Sequence, residues 1–199
     1  AQRSAWGYFK KFAVADRAAV VVDAVFANPA AFDRTQLLLG GVLFTVQLYA
    51  DFSGYTDIVL GVGEVLGLEL PENFRQPFFA DSVKDIWARW HISLSTWFRE
   101  YVYIPLGGNR KGKGRQLLNI AIVWLLTGLW HGASWNFVLW GVYYAALLLL
   151  EKTFLLKRLD RAPHWVGHVY TCLCFILGWV LFALSLIHIS EPTRQEAIS

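Results

Sequence analysis

Two histidines stand in tryptophan-rich, otherwise uncharged surroundings, His91 in WHISLSTW and His131 in LWHGASWN. Imidazole is the side chain best suited to proton transfer near neutral pH. A desolvated imidazole at either position could act as a general base that takes the proton of a hydroxyl group. Two other interpretations stay open: each is a core histidine held by one backbone hydrogen bond, or the two are axial ligands of a metal or haem.

Other residue patterns that would indicate a cofactor or a metal are weak. His164 and His168 are four residues apart, as in metal-binding helices, but no third ligand lies near them in the sequence, so we interpret them as interfacial residues beside Trp165. Cys172 and Cys174 lie in an apolar run and fit neither a zinc site nor a disulfide framework. A G-x-S-x-G elbow and a P-loop are both absent from the sequence. We therefore expect no metal and no tightly bound cofactor.

The composition indicates that these residues belong to a membrane protein. Of the 199 residues, 56% are hydrophobic and 17% charged, against about 45–50% and about 25% in soluble domains. Seven basic and two acidic residues fall between positions 84 and 115, which predicts a cytoplasmic loop rather than a nucleic-acid site. The absence of methionine predicts that Ala1 is not a native start and that the chain is a fragment.

Two apolar elements are predicted before position 71. Residues 35–50 carry no formal charge and end at Asp51, which predicts a short span or a span with a polar floor. Residues 57–70 are also apolar except for Glu64, and Gly63 and Gly67 suggest close helix packing. Pro71 then ends this element.

An amphipathic helix is predicted to carry His91. Ser82 and Asp85 form a helix start signal. The aromatic and aliphatic positions that follow recur at steps of three and four, as one stripe on a single helix at the membrane interface: Trp87, Trp90, Leu94, Trp97 and Tyr101.

A helical hairpin is predicted to carry His131. Residues 116–150 have no formal charge and are interrupted by WHGASW. The 16 residues from Arg115 to His131 would span roughly 24 Å as a helix, against a bilayer core of about 30 Å. His131 is therefore predicted deep in the membrane at the bend of the hairpin, and residues 165–183 form a last span.

The last sixteen residues, LSLIHISEPTRQEAIS from Leu184, resemble a translated sequencing-library adapter. The natural chain is then predicted to break off near Ala183, so that residues 1–183 are a partial membrane domain and His188 has no function.

Three long stretches resemble the membrane-bound O-acyltransferase family, and within it the bacterial alginate O-acetyltransferase branch. They are QLYADFSGYTDIVLGVGEVLGLELPENFRQPF, DIWARWHISLSTWFREYVYIPLGGNRKG and LLTGLWHGASWNFVLWGVYYA. The resemblance covers about residues 7–150. It implies an all-α polytopic membrane enzyme with amphipathic and re-entrant helices around a channel.

The resemblance also implies roles for particular residues. His131 would be the catalytic base, with His91 as a second catalytic residue that orients or shares the proton. Asp51 would hold a polar group near the channel. Trp90, Trp130 and Asn136 complete the predicted substrate-binding residues.

The implied reaction moves an acyl group, usually acetyl, from a thioester of coenzyme A or an acyl carrier to a hydroxyl of an exported polysaccharide such as alginate. The implied setting is the bacterial inner membrane, crossed several times, with accessory periplasmic acetyltransferase proteins and no nucleic acid. Alternatives are D-alanyl or other acyl transfer to teichoic acid, a transport element whose histidines relay protons, and a structural subunit.

Overall fold

The computed structural model describes the backbone of residues 1–196 and the side chains of residues 1–183. These described residues form helices and no strand, which confirms the predicted all-α class. They divide into two compact units, Ala1–Phe74 and a second unit that starts at Arg75. The side chains of the adapter-like segment from Leu184 lie outside the described residues.

Unit 1 packs two shorter helices against one long helix. Its elements are α1 (Gln2–Phe9), a π-helical turn (Lys10–Ala15), α2 (Asp16–Ala27), a 3-10 turn (Pro29–Ala31) and α3 (Arg34–Val65). A capping box starts α3, because the Gln36 backbone N–H donates to Asp33 Oδ1 and the Asp33 N–H donates to Gln36 Oε1, both at 2.9 Å.

The predicted end of an element at Asp51 is wrong, since Asp51 lies inside α3. This helix has 32 residues and is about 48 Å long at 1.5 Å per residue. Asp51 is half-exposed on this helix, and Lys11 Nζ lies 2.7 Å from its Oδ1.

Glycines bring α1 and α3 into close contact, but at other positions than the sequence predicts. A Cβ on Gly54 would collide with the Gly7 carbonyl oxygen, and a Cβ on Gly61 would collide with Ser4. Gly67 instead follows the end of α3 with φ 72° and open space around it. The prediction of helix packing through Gly67 is therefore wrong, and its role is to end the helix in a left-handed conformation.

Unit 2 contains the helices that carry both histidines. Its elements are a 3-10 turn (Pro77–Phe79), α4 (Val83–Arg89), α5 (Ile92–Phe98), a π-helical turn (Arg99–Tyr103), α6 (Lys113–His131), α7 (Trp135–Leu150), a second π-helical turn (Glu151–Leu155), α8 (Leu156–Leu159) and α9 (His164–Glu196). The predicted hairpin is confirmed as α6 and α7. Their backbones approach most closely at Gly128 and Gly141, where neither residue has room for a Cβ.

The single amphipathic helix predicted around His91 is wrong. Its start is confirmed, because the Asp85 N–H donates to Ser82 Oγ at 3.1 Å. The helix ends at Arg89, however, and a second helix begins at Ile92. The break separates the aromatic stripe into a buried part, with Trp90 only 2% exposed, and an exposed part, with Trp97 50% exposed.

Three helices in the described part of the chain are long and apolar enough to cross a membrane, Arg34–Val65, Trp135–Leu159 and His164–Ala183. The protein is therefore an all-α membrane protein. Between the helices of unit 2 lies a core of aromatic rings: Trp87, Trp90, Trp124, Trp140, Tyr144, Phe175 and Trp179.

Candidate active site

His131 is the last residue of α6, at the turn of the hairpin. The helix stops there because Gly132 adopts φ 156°, and a Cβ at this position would also collide with the Phe137 ring. The His131 imidazole lies edge-on to Trp140 and Phe182, with ring centroids 5.0 and 5.2 Å away. A turn whose backbone conformation and packing require glycine thus places the His131 imidazole against the rings of Trp140 and Phe182.

His91 occupies the break between α4 and α5 in a left-handed conformation, with φ 47° and ψ 54°. This conformation costs an ordinary residue about 1–2 kcal/mol. The chain is fixed on both sides of it, because the Arg75 N–H donates to the Arg89 carbonyl at 3.0 Å and the Ser95 N–H donates to the His91 carbonyl at 3.1 Å. Backbone conformations of this kind concentrate at functional sites.

Trp130 connects the two histidines. Its ring centroid lies 6.1 Å from that of His91 and 4.9 Å from that of His131. An open pocket of about 340 Å³ lies beside it. The residues that line this pocket are His91, Ser93, Leu94, Trp97 and Trp130.

Burial keeps both imidazoles neutral. Desolvation lowers the pKa of His91 to about 4. Desolvation, with a smaller contribution from charge repulsion by His91, also lowers the pKa of His131 to about 4. Since a neutral imidazole can accept a proton, both residues are in the form that a general base requires at neutral pH.

The predicted substrate-binding residues of unit 2 occupy three different surroundings. Trp130 is 57% exposed and lines the pocket. Trp90 is packed against Phe175 and Trp179, at centroid distances of 5.1 and 5.3 Å, which favours a role in the core over direct contact with a substrate. Asn136 lies in the first turn of α7, where its backbone N–H donates to Ser134 Oγ at 3.4 Å. Contact of these three side chains with substrate stays a prediction.

Asp51 lies in α3 of unit 1 and makes an ion pair there. Hydrogen bonds to Asp51 and Asp16 raise the pKa of the Lys11 ammonium group above its usual range. The Asp51 side chain remains 49% exposed, and its predicted role in holding a polar group stays a prediction.

Three residues of the site were not predicted from the sequence. Ser93, Leu94 and Trp97 line the pocket together with His91, but their place on a presumed continuous helix gave no indication of this. Their proximity to His91 in the sequence was the available signal. Among the described residues, no group of three or more His, Cys, Asp or Glu side chains is placed to hold a metal ion.

Comparison with known proteins identifies the family of this arrangement. The model of the membrane-bound O-acyltransferase family matches residues 35–188, a range that includes both histidines, Trp130 and Asp51. The chain belongs to this family. The candidate site around His91 and His131 therefore lies inside the region that matches the family.

The names of three relatives in the family refer to three different polymers. The chain is 43% identical to the "Probable alginate O-acetylase AlgI" of Pseudomonas fluorescens over 92% of its length and 37% of the relative's. It is 39% identical to the peptidoglycan O-acetyltransferase of Helicobacter pylori over 88% of its length and 34% of the relative's. It is 37% identical to the teichoic acid D-alanyltransferase of Bacillus subtilis over 65% of its length and 35% of the relative's. The chain thus spans somewhat more than a third of the length of these membrane-bound O-acyltransferase relatives.

Proposed function

We propose that the complete protein is a membrane O-acyltransferase that moves an acyl group, usually acetyl, from a thioester to a hydroxyl of an exported polysaccharide. The observation that carries the proposal is that the Trp130 ring contacts both His91 and His131, and that His91 and Trp130 line an open pocket. The names of the relatives support a polysaccharide or a related cell-wall polymer as the acceptor.

In the proposed reaction, His131 accepts the proton of the attacking hydroxyl. The hydroxyl oxygen forms a bond to the thioester carbonyl carbon, the carbon–sulfur bond breaks, and the leaving thiolate takes the proton from His131. His91 orients or shares this proton. The aromatic rings around His131 keep water away from the acyl donor.

The setting of the reaction is also part of the proposal. The spanning helices support a multi-pass protein of the bacterial inner membrane. The donor is an acyl-coenzyme A or an acyl carrier on the side of the basic turn at residues 110–115, and accessory periplasmic acetyltransferase proteins complete the delivery to the polymer. Alginate is the preferred acceptor because of the identity to the alginate O-acetylases.

The test is His131→Ala in the complete protein, with the protein level measured in membranes and acylation of the exported polymer measured by mass spectrometry. We expect acylation to fall at least a hundredfold, because general base catalysis contributes about 10²- to 10⁴-fold. His164→Ala is the matched control, since this exposed imidazole pairs with Asp81 away from the pocket. Unchanged acylation in His131→Ala at a normal protein level would show that the catalytic assignment is wrong.

The same assay separates the alternative acceptors. D-alanyl esters on teichoic acid that disappear in His131→Ala would replace the polysaccharide by teichoic acid and keep the mechanism. A proton or solute flux that disappears where no acyl transfer is detected would identify a transport element instead.

A further inference from the structure

A buried carboxylate from the second π-helical turn holds the beginning of α4. Glu151 is 1% exposed. Its Oε1 accepts the Val83 N–H at 2.6 Å and its Oε2 accepts the Lys84 N–H at 2.9 Å. Both carboxylate oxygens therefore accept hydrogen bonds from the first turn of α4, although Glu151 lies 67 or 68 positions from these donors in the sequence.

These contacts complete the hydrogen bonding at the start of α4. A helix leaves its first N–H groups without partners within the helix. The Glu151 carboxylate accepts hydrogen bonds from the N–H groups of Val83 and Lys84, and Ser82 Oγ accepts one from the N–H of Asp85. A negative charge at this position is also favoured by the helix dipole. The start of α4 is consequently fixed to the residue that follows α7.

The middle of α4 is fixed to the same hairpin. The Trp87 ring lies 4.8 Å from Trp124 of α6 and 4.8 Å from Tyr144 of α7, between ring centroids. Since α4 has only seven residues, a contact at its start and one at its fifth residue determine both its rotation and its position along the hairpin. His91 follows two residues after its end.

We propose that Glu151 is a positioning residue that sets the location of His91 relative to His131. The inference rests on the proposed function for its consequence in catalysis, but the positioning itself can be measured independently. Glu151 does not take part in the chemistry, since it follows the far end of α7, whose 16 residues extend about 24 Å. It acts through α4, at whose other end the chain turns into the left-handed His91.

The positioning is tested by cross-linking in membranes of the complete protein. Cysteines introduced by His91→Cys and Trp130→Cys replace two rings whose centroids lie 6.1 Å apart, and Cys172 and Cys174 are replaced by alanine. We expect the yield of the 91–130 disulfide to fall at least threefold when Glu151→Gln is added. Asp160→Asn removes an exposed carboxylate from the same charged segment and leaves the yield unchanged. An equal yield with and without Glu151→Gln would overturn the proposal.

A second variant covers the case in which Glu151→Gln does not accumulate. Ser82→Ala removes one of the three hydrogen bonds at the start of α4, so we expect a smaller fall in the disulfide yield. No fall in Ser82→Ala, when Glu151→Gln is absent from membranes, would likewise overturn the proposal.

Activity is measured separately in proteins that retain both histidines. We expect Glu151→Gln to lower kcat about tenfold with a smaller change in KM, because His91 is displaced while Trp130, which also lines the pocket, stays in place on α6. A higher KM with an unchanged kcat would contradict the positioning of a catalytic group. A fall in disulfide yield with acylation that does not depend on His131 would keep the positioning role and reject the proposed function.

Discussion

The two units stabilise their buried polar groups in different ways. In unit 1, basic residues of α1 and the π-helical turn pair with carboxylates of α3, as Lys10 Nζ does with Asp57 Oδ2 at 2.6 Å. In unit 2, the His131 imidazole is surrounded by aromatic rings, and desolvation is the main cause of its lowered pKa. Ion pairing joins the helices of unit 1, whereas burial among aromatic rings keeps the His131 imidazole of unit 2 neutral.

This difference separates the carboxylates of unit 1 from the imidazoles of unit 2. Asp51 and Asp57 are held in ion pairs with Lys11 and Lys10. His131 instead lies among aromatic rings. The comparison therefore predicts that changes in the aromatic core affect unit 2 through packing, and that changes in α3 affect unit 1 through charge.

The largest effect is expected from Trp87→Ala. Loss of a large aromatic ring from a packed core typically costs about 3–5 kcal/mol, and the partly buried Trp87 ring contacts Trp124, Trp140 and Tyr144. Thermal unfolding of the complete protein in detergent measures the change as a lower Tm. The control is Trp165→Ala, because this ring is 68% exposed. Equal Tm values for the two variants would show that the aromatic core is not what stabilises unit 2.

A smaller loss of stability is expected from Asp57→Ala in unit 1. The change leaves Lys10 and Arg3 without the carboxylate that both contact, at 2.6 and 3.1 Å. Its side chain is 15% exposed, and removal of one partner of such a pair should cost about 2–3 kcal/mol. The matched variant Asp16→Ala removes a 43% exposed carboxylate and leaves Lys11 paired with Asp51, so its Tm should stay close to that of the parent.

Salt concentration sharpens the same comparison. Since salt screens exposed charges strongly and partly buried ones much less, the Tm difference between Asp57→Ala and the parent should shrink only in part in 1 M NaCl, whereas that of Trp87→Ala should not change. An unchanged difference for Asp57→Ala would mean that its packing rather than its charge stabilises unit 1.

A histidine-dependent effect of pH is expected in unit 2. Both histidines have a pKa of about 4 in the folded protein and about 6.5 when unfolded. The unfolded state therefore takes up protons first, and the stability is lost as the pH falls from about 6.5 towards 4. All five histidines of the chain lie at position 91 or later, so unit 1 should not contribute a histidine-dependent loss.

This dependence can be measured as Tm at pH 7.5, 6 and 5. The slope should become shallower in His91→Gln and in His131→Gln, because each removes one group that must lose its proton on folding. The same slope in both variants as in the parent would contradict the neutral state of these imidazoles.

The sequence predicts the features that depend on neighbouring residues. The Ser82 cap and the hairpin turn at Gly132 follow from local side-chain chemistry and from backbone conformations that only glycine adopts easily, and the structure confirms both positions. The resemblance to the acyltransferase family also identified the histidines that lie on either side of Trp130.

Features that depend on distant residues could not be predicted. The ion pair of Asp51 in α3 with Lys11 joins residues forty positions apart. The hydrogen bonds that Glu151 accepts from Val83 and Lys84 join residues that are still farther apart. The helix break at His91 was equally hidden, because the spacing of Trp87, Trp90 and Leu94 fits a continuous helix. Only the tertiary structure shows that Trp90 is buried and that Trp97 is half-exposed.

The left-handed conformation of His91 affects which amino acids are selected at this position. The backbone there suits glycine or asparagine better than histidine. Random substitutions selected only for thermal stability should therefore enrich glycine at position 91 and remove the imidazole that we propose to take part in catalysis. Selection for activity should retain histidine against that tendency, and a library at this single codon would separate the two pressures.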